Sequence, residues 1–312
     1  MSASGAAHAA TATAAVLVVH GDPGDLQAAL APLTALLGRV VVVDNNAQPA
    51  PALARLAGSL AGVEILHHGN RGGLAGAYNR ALRHLQEASS AATPAPPHVV
   101  FVDQDSDTGV LGAFLADPEV AALLARSDVA AVAPAYRERA TGLRARYVAL
   151  GRWRMQHLPR EFDGLQRVAF VINSMTVWRR AALARLGEFD ERLAIDHVDT
   201  EHCLRARQQG LALWVHGRHV FAHAIGQRRR YRLFGHELQA TGHGPARRRL
   251  IGRNTMLLLR RWAAREPAFA RLCLLRLAYE ATGIVVAEEQ RSARLAALLR
   301  GALEGLFMRS RQ

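Results

Sequence analysis

Residues 99–107 read VVFVDQDSD, four apolar and mostly β-branched residues followed by three acids at alternate positions. Such an apolar run is typical of a parallel strand that helices cover on both faces. Carboxylates are too costly to desolvate inside such a strand, so Asp103, Asp105 and Asp107 must follow its end. Open α/β sheets bind ligands at the carboxyl ends of their strands. The stretch therefore predicts either a site for a hard cation or an acidic turn that caps the next helix.

Strand and helix patterns alternate along most of the chain around this stretch. Apolar runs predict strands at residues 14–19, 40–43, 63–66, 99–102, 129–132, 168–172, 213–215 and 219–222. Leucines at helical spacing follow the first run, and a glycine-rich turn at 69–76 leads into another helix. Strands that alternate with helical segments predict an α/β fold with a Rossmann-like, doubly wound and mostly parallel sheet.

Two further polar segments follow strands of this predicted sheet. Asp44 comes at the end of the second strand, where its carboxylate could accept the ring N–H of a pyrimidine base or close a local turn. The glycine turn offers backbone donors to a diphosphate or sugar, although tight helix packing explains it equally well. Three strand ends that carry residues suited to ligand binding lie close together in the sequence, which favours a nucleotide site.

Asp196, Asp199 and Glu201 lie immediately before a predicted amphipathic helix at 203–209. The structural interpretation is that these carboxylates stabilise the N-terminus of the helix, where negative charge is favourable. Three acids are more than capping requires. The functional interpretation is a general base, a carboxylate that takes the proton of an acceptor hydroxyl.

The composition excludes several classes of protein. Half of the 312 residues are hydrophobic, but each long apolar window contains charges, so we expect no transmembrane helix. Residues 1–13 are small and polar, and we interpret them as a disordered lead and not a signal peptide. Cys203 and Cys273 lack metal-ligand spacing, which indicates reduced core thiols in a cytoplasmic protein.

The net charge of +13 is concentrated in the last quarter of the chain. Residues 226–312 contain 18 Arg and 6 acids, a net charge of +12, which leaves +1 for residues 1–225. Such asymmetry indicates an anionic partner, whether phosphates, nucleic acid or a lipid surface. We predict a flexible basic loop after His223, in which runs of arginine flank a glycine- and histidine-containing segment at 235–244, and leucine-patterned helices after it. These helices would lie peripherally on an anionic membrane or pack as an appendage.

Together these motifs resemble the family 2 glycosyltransferases of GT-A fold, and most of all the bacterial rhamnosyltransferases. The resemblance covers residues 14–262, and its most specific element is the DQDS sequence at 103–106. Further matching motifs are GEFDE at 187–191, IDHVDTE at 195–201, CLR at 203–205, His223 with Gly226, and Arg253 with Asn254. It divides the chain into a lead (1–13), a GT-A nucleotide-sugar transferase domain (14–225) and a C-terminal helical appendage for acceptor or membrane contact (226–312).

The resemblance implies a role for each motif. Asp103 and Asp105, together with His223, would hold Mg²⁺ or Mn²⁺ on the donor diphosphate. Asp199 would be the catalytic base, with Glu201 beside it. The residues implied to bind the donor nucleotide-sugar are Asp44, Asn70, Gly72, Gly73, Asp103 and Arg253. The implied reaction transfers L-rhamnose from dTDP-L-rhamnose to a saccharide or lipid-linked glycan in cell-surface polysaccharide synthesis, such as that of O-antigen.

One departure from the family pattern leaves the donor open. Met175 stands where the subgroup has glycine, and we expect it to add bulk near the sugar. The alternatives are a degenerate transferase that only binds its donor and an Arg-rich nucleic-acid-binding protein. We expect no nucleic acid, because the aromatic residues of the basic segment fall mostly within apolar helix patterns. A nucleic-acid-binding role would also leave the acidic loops unexplained.

Overall fold

The computed structural model describes residues 12–22, 24, 26–56, 58, 60–89, 95–224, 229–233 and 236–308. The chain divides into two compact units. The first comprises Met1–Arg137, Leu143–Tyr147 and Pro159–His223, and the second comprises Glu138–Gly142, Val148–Leu158 and Ala224–Gln312. Most of the predicted disordered lead lies outside the described residues, but Thr13 already belongs to the first strand.

The strands and helices are numbered in chain order. The first part of the chain forms β1 (Thr13–Val19), α1 (Leu26–Leu36), β2 (Arg39–Asp44), α2 (Pro51–Leu56), β3 (Val63–His67), α3 (Gly73–Glu87), β4 (His98–Asp103), α4 (Leu111–Leu115), α5 (Pro118–Ala125) and β5 (Val129–Glu138). The middle forms β6 (Val148–Leu150), β7 (Met155–His157), β8 (Leu165–Val168), β9 (Val177–Arg179), α6 (Arg180–Leu186), a 3₁₀ turn (Glu191–Leu193), α7 (Val198–Gln208) and β10 (Ala212–His223). The last part forms β11 (Arg229–Leu233), β12 (His236–Ala240), α8 (Pro245–Trp262), α9 (Pro267–Ala287) and α10 (Arg291–Phe307).

The first unit is built on an eight-stranded sheet in the order β3-β2-β1-β4-β9-β5-β10-β8. β1 pairs in parallel with β2 and β4, and β2 pairs in parallel with β3. β9 is antiparallel to β4 and β5, and β8 is antiparallel to β10. Every side chain of β1 is buried, as expected for a central strand of such a sheet. The predicted α/β fold class is confirmed.

Three of the predicted strands differ from the structure. The segment predicted at 168–172 is mostly irregular, because β8 ends at Val168 and the chain then forms only an isolated bridge between Ser174 and Phe101. The two short strands predicted near the end of the first unit are one strand, β10. His216 and Gly217 interrupt its apolar pattern, but His216 is fully buried with an acidic partner, Glu119, so the strand continues through them.

The second unit contains two hairpins, β6–β7 and β11–β12, and the helices α8, α9 and α10. The predicted basic loop at 235–244 is partly strand, since β12 occupies His236–Ala240. Gln227 and Arg228, at the start of the basic segment, lie outside the described residues. No described helix has the length and apolar character needed to cross a membrane.

Candidate active site

The carboxyl ends of β1, β2 and β4 lie side by side because these strands are parallel. Val19 of β1 stands opposite Asp44, and Val18 stands opposite Asp103. The loops after these strands are tied together: the His20 N–H donates to Gln104 Oε1 at 2.9 Å, and the Gly21 N–H donates to Asn46 Oδ1 at 2.7 Å. This edge of the sheet therefore collects the predicted ligand-binding loops.

Asp103 lies at the centre of this edge. Burial raises its pKa, the Asp105 carboxylate raises it further, and Asp199 also contributes, so that the pKa reaches about 6 despite a hydrogen bond with Ser174. Asp105 and Asp199 therefore both lie near enough to Asp103 to repel its negative charge. A bound cation would relieve this repulsion, and carboxylates are the ligands that Mg²⁺ and Mn²⁺ prefer, so the acids present fit such an ion.

Asp199 is the second residue of α7 and is partly exposed. The Thr200 N–H and hydroxyl donate to Asp199 Oδ1 at 2.7 and 3.3 Å, which fixes the orientation of the carboxylate. The segment just before α7 holds three non-glycine residues in the left-handed region: Ala194 (φ 59°), Asp196 (φ 33°) and His197 (φ 69°). Such strain is typical of segments that position functional groups.

Glu201 has surroundings that contradict its predicted catalytic role. Its side chain is fully buried, and its Oε2 pairs with Arg205 at 2.8 Å. Arg205 also donates to the carbonyl oxygens of Leu186 at 2.7 Å and Glu188 at 2.8 Å. The carboxylate therefore anchors α7 to the end of α6, and an acceptor hydroxyl in solvent cannot reach it.

Asp44 is almost completely buried and organises the loop that follows β2. Its Oδ2 accepts the Ala50 N–H at 2.7 Å, and its Oδ1 accepts the Asn46 side-chain amide at 2.9 Å. Burial alone would raise the pKa of Asp44, but these hydrogen bonds and one from His67 outweigh it and lower the pKa. The sequence allowed Asp44 either to contact a base or to close a local turn, and these contacts are those of a local turn.

The glycine turn shows why Gly72 and Gly73 have no side chains. Both are left-handed, and a Cβ on Gly73 would lie 2.5 Å from the carbonyl oxygen of Ala194. That oxygen also accepts the N–H groups of Leu74 at 2.6 Å and Ala75 at 3.3 Å, while the Gly73 N–H donates to the carbonyl of Asn70. The first amides of α3 are thus already paired, so packing against the strained segment accounts for the glycines.

The remaining predicted residues lie in different places. His223 ends β10, with its ring 5.5 Å from that of Tyr136. Arg253 lies on α8 in the second unit, where its Nε donates to Asn254 Oδ1 at 3.0 Å and burial lowers its pKa. Asp103, Asp105 and His223 do not form a set of converging metal ligands in the described part of the chain. Two carboxylates can still suffice, because waters and phosphate oxygens complete the coordination of Mg²⁺.

A different group of metal-ligand side chains does converge. Single ligand atoms of Asp117, His216 and His219 lie within 4.8 Å of one another. His219 Nε2 contacts Asp117 Oδ2 at 2.8 Å, and His216 Nε2 contacts Glu119 Oε2 at 3.1 Å. The Arg218 N–H donates to His216 Nδ1, which places the proton of a neutral ring on Nε2. These hydrogen bonds already use both ring nitrogens of His216 and Nε2 of His219, and they tie the start of α5 to β10.

Sequence reasoning missed Tyr78, a fully buried residue that senses the charge of the acids. Burial raises the pKa of Tyr78 well above its usual value, and the carboxylates of Asp103 and Asp199 raise it further. Its ring packs against Phe101 at 4.4 Å and Phe189 at 5.2 Å. No signal in the sequence separates it from an ordinary core aromatic residue.

Met175 does not add bulk to the site as the sequence predicted. Its side chain is fully buried in the main hydrophobic core with Val100 and Val177. Its left-handed backbone (φ 62°) and the hydrogen bond from its N–H to the Phe101 carbonyl hold this part of the chain beside β4. The neighbouring Ser174 is the residue that faces the acids.

Comparisons with known proteins add independent information. No family model matches the chain. The chain is 26% identical over 230 residues to dTDP-rhamnosyl transferase RfbF of Shigella flexneri, which covers 71% of each protein. The crystal structure of GalNAc-T7 with UDP, GalNAc and Mn²⁺ matches 88% of this chain with a TM-score of 0.50 and 12% identity. The chain spans only 56% of that longer protein.

This chain has a GT-A-type fold, and its sequence is similar to that of a dTDP-rhamnosyl transferase. The GT-A fold expected from the sequence motifs is thereby confirmed. The acids at the end of β4 lie at the carboxyl edge of the sheet, where open α/β sheets bind ligands. The structural likeness concerns the fold, so the residue assignments rest on the geometry described above.

Proposed function

We propose that this protein is a metal-dependent, inverting glycosyltransferase that transfers L-rhamnose from dTDP-L-rhamnose to a saccharide hydroxyl. The observation that carries the proposal is that Asp103, at the carboxyl edge of a GT-A sheet, lies near enough to Asp105 and Asp199 for their charges to raise its pKa. Similarity to a dTDP-rhamnosyl transferase supports the choice of donor. The UDP and Mn²⁺ of the structural neighbour support a nucleotide donor and a divalent ion.

Asp103 and Asp105 are the proposed metal ligands. When bound, Mg²⁺ or Mn²⁺ would neutralise the negative charge of the leaving diphosphate. Ser174 and Ser106, whose hydroxyl oxygens lie 2.7 Å apart, hold the Asp103 side of this loop. His223 is a proposed contact to the metal or diphosphate. Asp44, Asn70, Gly72, Gly73 and Arg253 remain the proposed donor-binding residues.

Asp199 is the proposed base. Its carboxylate would accept the proton of the acceptor hydroxyl while that oxygen attacks the anomeric carbon from the face opposite the diphosphate. The new glycosidic C–O bond forms as the bond from the anomeric carbon to the diphosphate oxygen breaks, and the configuration inverts. Thr200 keeps the carboxylate oriented for this transfer. Glu201 has no part in it, because its buried ion pair with Arg205 removes it from the acceptor.

The proposed acceptor is a saccharide, carried on a lipid during family 2-type assembly of a cell-surface polysaccharide such as O-antigen. We place this reaction in the cytoplasm at the inner face of the cell membrane. The net charge of +12 in residues 226–312 supports an anionic partner, either the pyrophosphate of a lipid carrier or the lipid surface itself.

The test is thermal stabilisation by a panel of dTDP-, UDP- and GDP-sugars with and without Mn²⁺. We expect dTDP-L-rhamnose with Mn²⁺ to give the largest rise in Tm, because ligands that bind only the folded state stabilise it. Asp105→Asn should remove the Mn²⁺-dependent part of the rise. Asp107→Asn is the matched control, since Asp107 is equally exposed but serves a local turn with the Gly109 N–H.

Two results would contradict the proposal. Indifference to every donor, combined with salt-dependent binding of RNA or DNA, would favour the nucleic-acid-binding alternative. Donor binding without any turnover on saccharide acceptors would favour a degenerate transferase.

A further inference from the structure

Exposed apolar side chains are concentrated in the second unit. Of the eleven large hydrophobic side chains that are exposed among the described residues, ten belong to this unit and only Leu143 belongs to the first. The ten are Trp153, Leu274, Leu275, Tyr279, Val285, Val286, Leu299, Leu303, Leu306 and Phe307. Phe307 is the most exposed, at 79%. Such a concentration on one unit is typical of an interaction surface.

On α10 the residues fall on opposite faces. Gly301 and Gly305 are buried, and a Cβ on either would come within 2.1 Å of a carbonyl oxygen of α8. The two helices therefore approach backbone to backbone through small residues, a mode of packing that is also common between helices in lipid. Because glycines make this contact, the residues at helical spacing on the other face, Leu299, Leu303 and Phe307, stay uncovered.

On α9 an uncovered face runs along the whole helix. Cys273, Glu280 and Ile284 are buried, whereas Leu274, Leu275, Tyr279, Val285 and Val286 are exposed. Exposed Arg271 precedes Leu274 and Leu275 by three and four positions and so lies on the same face. In the same way, exposed Arg300 lies on the Leu303 face of α10.

The acids of these helices are turned inward. Residues 245–308 contain five glutamates, of which only Glu289 is exposed. Fully buried Arg248 pairs with Glu280 and Glu288, and Arg294 also pairs with Glu288. Arg249 pairs with Glu304. Internal pairing thus uses most of the negative charge and leaves an exposed surface of apolar and arginine side chains.

We propose that the exposed faces of α9 and α10 form a docking surface for a bilayer that contains anionic lipids. The apolar side chains would enter the interface, while Arg271 and Arg300 contact lipid phosphates. Exposed Trp153, at the tip of the β6–β7 hairpin of the same unit, suits the interfacial region where aromatic residues concentrate. A second copy of this basic surface would be repelled, which favours an anionic occupant. Membrane docking itself is independent of the proposed function. Only its link to a lipid-linked acceptor rests on that function.

The experiment is co-sedimentation of the full chain with vesicles of phosphatidylcholine, with or without phosphatidylglycerol. We expect binding to the anionic vesicles to be at least tenfold stronger than to the neutral ones. Each interfacial arginine should strengthen binding to anionic lipid about fivefold, and two arginines act together. Leu303→Glu and Leu275→Glu, each on an exposed face, should each weaken it about tenfold. Arg271→Glu should weaken binding and flatten its dependence on salt. Leu143→Glu is the matched control, because Leu143 is also exposed but belongs to the first unit.

Each variant is also tested for its Tm and for stabilisation by dTDP-L-rhamnose. Unchanged donor stabilisation with lost vesicle binding supports the docking surface, whereas vesicle binding without donor stabilisation contradicts only the proposed function. Equal binding of wild type and both leucine variants would overturn the surface. Failure of the wild type to bind vesicles would also overturn the surface. If the leucine variants then changed from dimer to monomer, the face would be assigned to contact with a second copy of the chain.

Discussion

At the scale of single residues, Asp199 is partly exposed and held by Thr200, whereas Glu201 is fully buried beside Arg205. Two carboxylates two positions apart in the sequence thus have different chemistry available to them. Only the first is open to a hydroxyl from solvent, whereas the second is an internal anchor.

Asp199→Asn should lower kcat for rhamnosyl transfer by at least about a hundredfold, because an amide cannot take the hydroxyl proton. Stabilisation by donor and Mn²⁺ should persist, since the acids on β4 are intact. The measurement is initial-rate kinetics together with donor-dependent Tm. Wild-type turnover by this variant would remove Asp199 from the mechanism.

His202 gives a prediction about pH. Burial lowers the pKa of His202 well below its usual value, and the charge of Arg205 lowers it further. The unfolded chain binds a proton below about pH 6.5 that the folded chain cannot, so stability falls as the pH drops through that range. His202→Gln should reduce this slope of unfolding free energy against pH. Exposed His157→Gln should keep it; an unchanged slope in both variants would contradict the assignment.

At the scale of elements, the start of α3 and the strained segment before α7 depend on one another. The Ala194 carbonyl caps α3, and Gly73 must lack a Cβ for the two to meet. The strain of residues 194–197 is thus held by packing, with Asp199 one turn away. The glycine turn therefore supports the candidate base through the backbone.

Gly73→Ala should destabilise the protein by more than Gly164→Ala. Both glycines are left-handed (φ 61° and 72°), so each variant pays roughly 1–2 kcal/mol for its backbone. A Cβ at Gly164 meets nothing within 4 Å, whereas a Cβ at Gly73 meets the Ala194 carbonyl. Urea unfolding measures the difference, and activity should fall only in the Gly73 variant. Equal losses would show that the close approach does not matter.

At the scale of the whole molecule, charge is distributed differently in the two units. The first is nearly balanced, and its acids gather at one edge of the sheet. The second carries most of the positive charge, and two of its acids, Glu280 and Glu288, are buried against an arginine. This division suits a protein that binds a metal and a nucleotide in one unit and an anionic partner in the other.

Arg248→Leu should cost about 3–5 kcal/mol, because it leaves Glu280 and Glu288 buried without their shared cation. Its neighbour offers a matched control: Arg249→Leu removes an exposed pair with Glu304 and should cost much less, because solvent screens such a pair. Unfolding followed by far-UV circular dichroism measures both. Similar costs would indicate that the buried network adds no stability.

The sequence by itself determined the parallel strands, the acids at their ends and the uneven charge, because each depends on local periodicity or on composition. It also led to the GT-A fold through the family resemblance of the motifs at 103–106, 187–191 and 195–201. Only the tertiary structure decided the burial of Glu201, the core position of Met175 and the uncovered faces of α9 and α10. Those properties depend on which distant segments pack together, and no local pattern reports that.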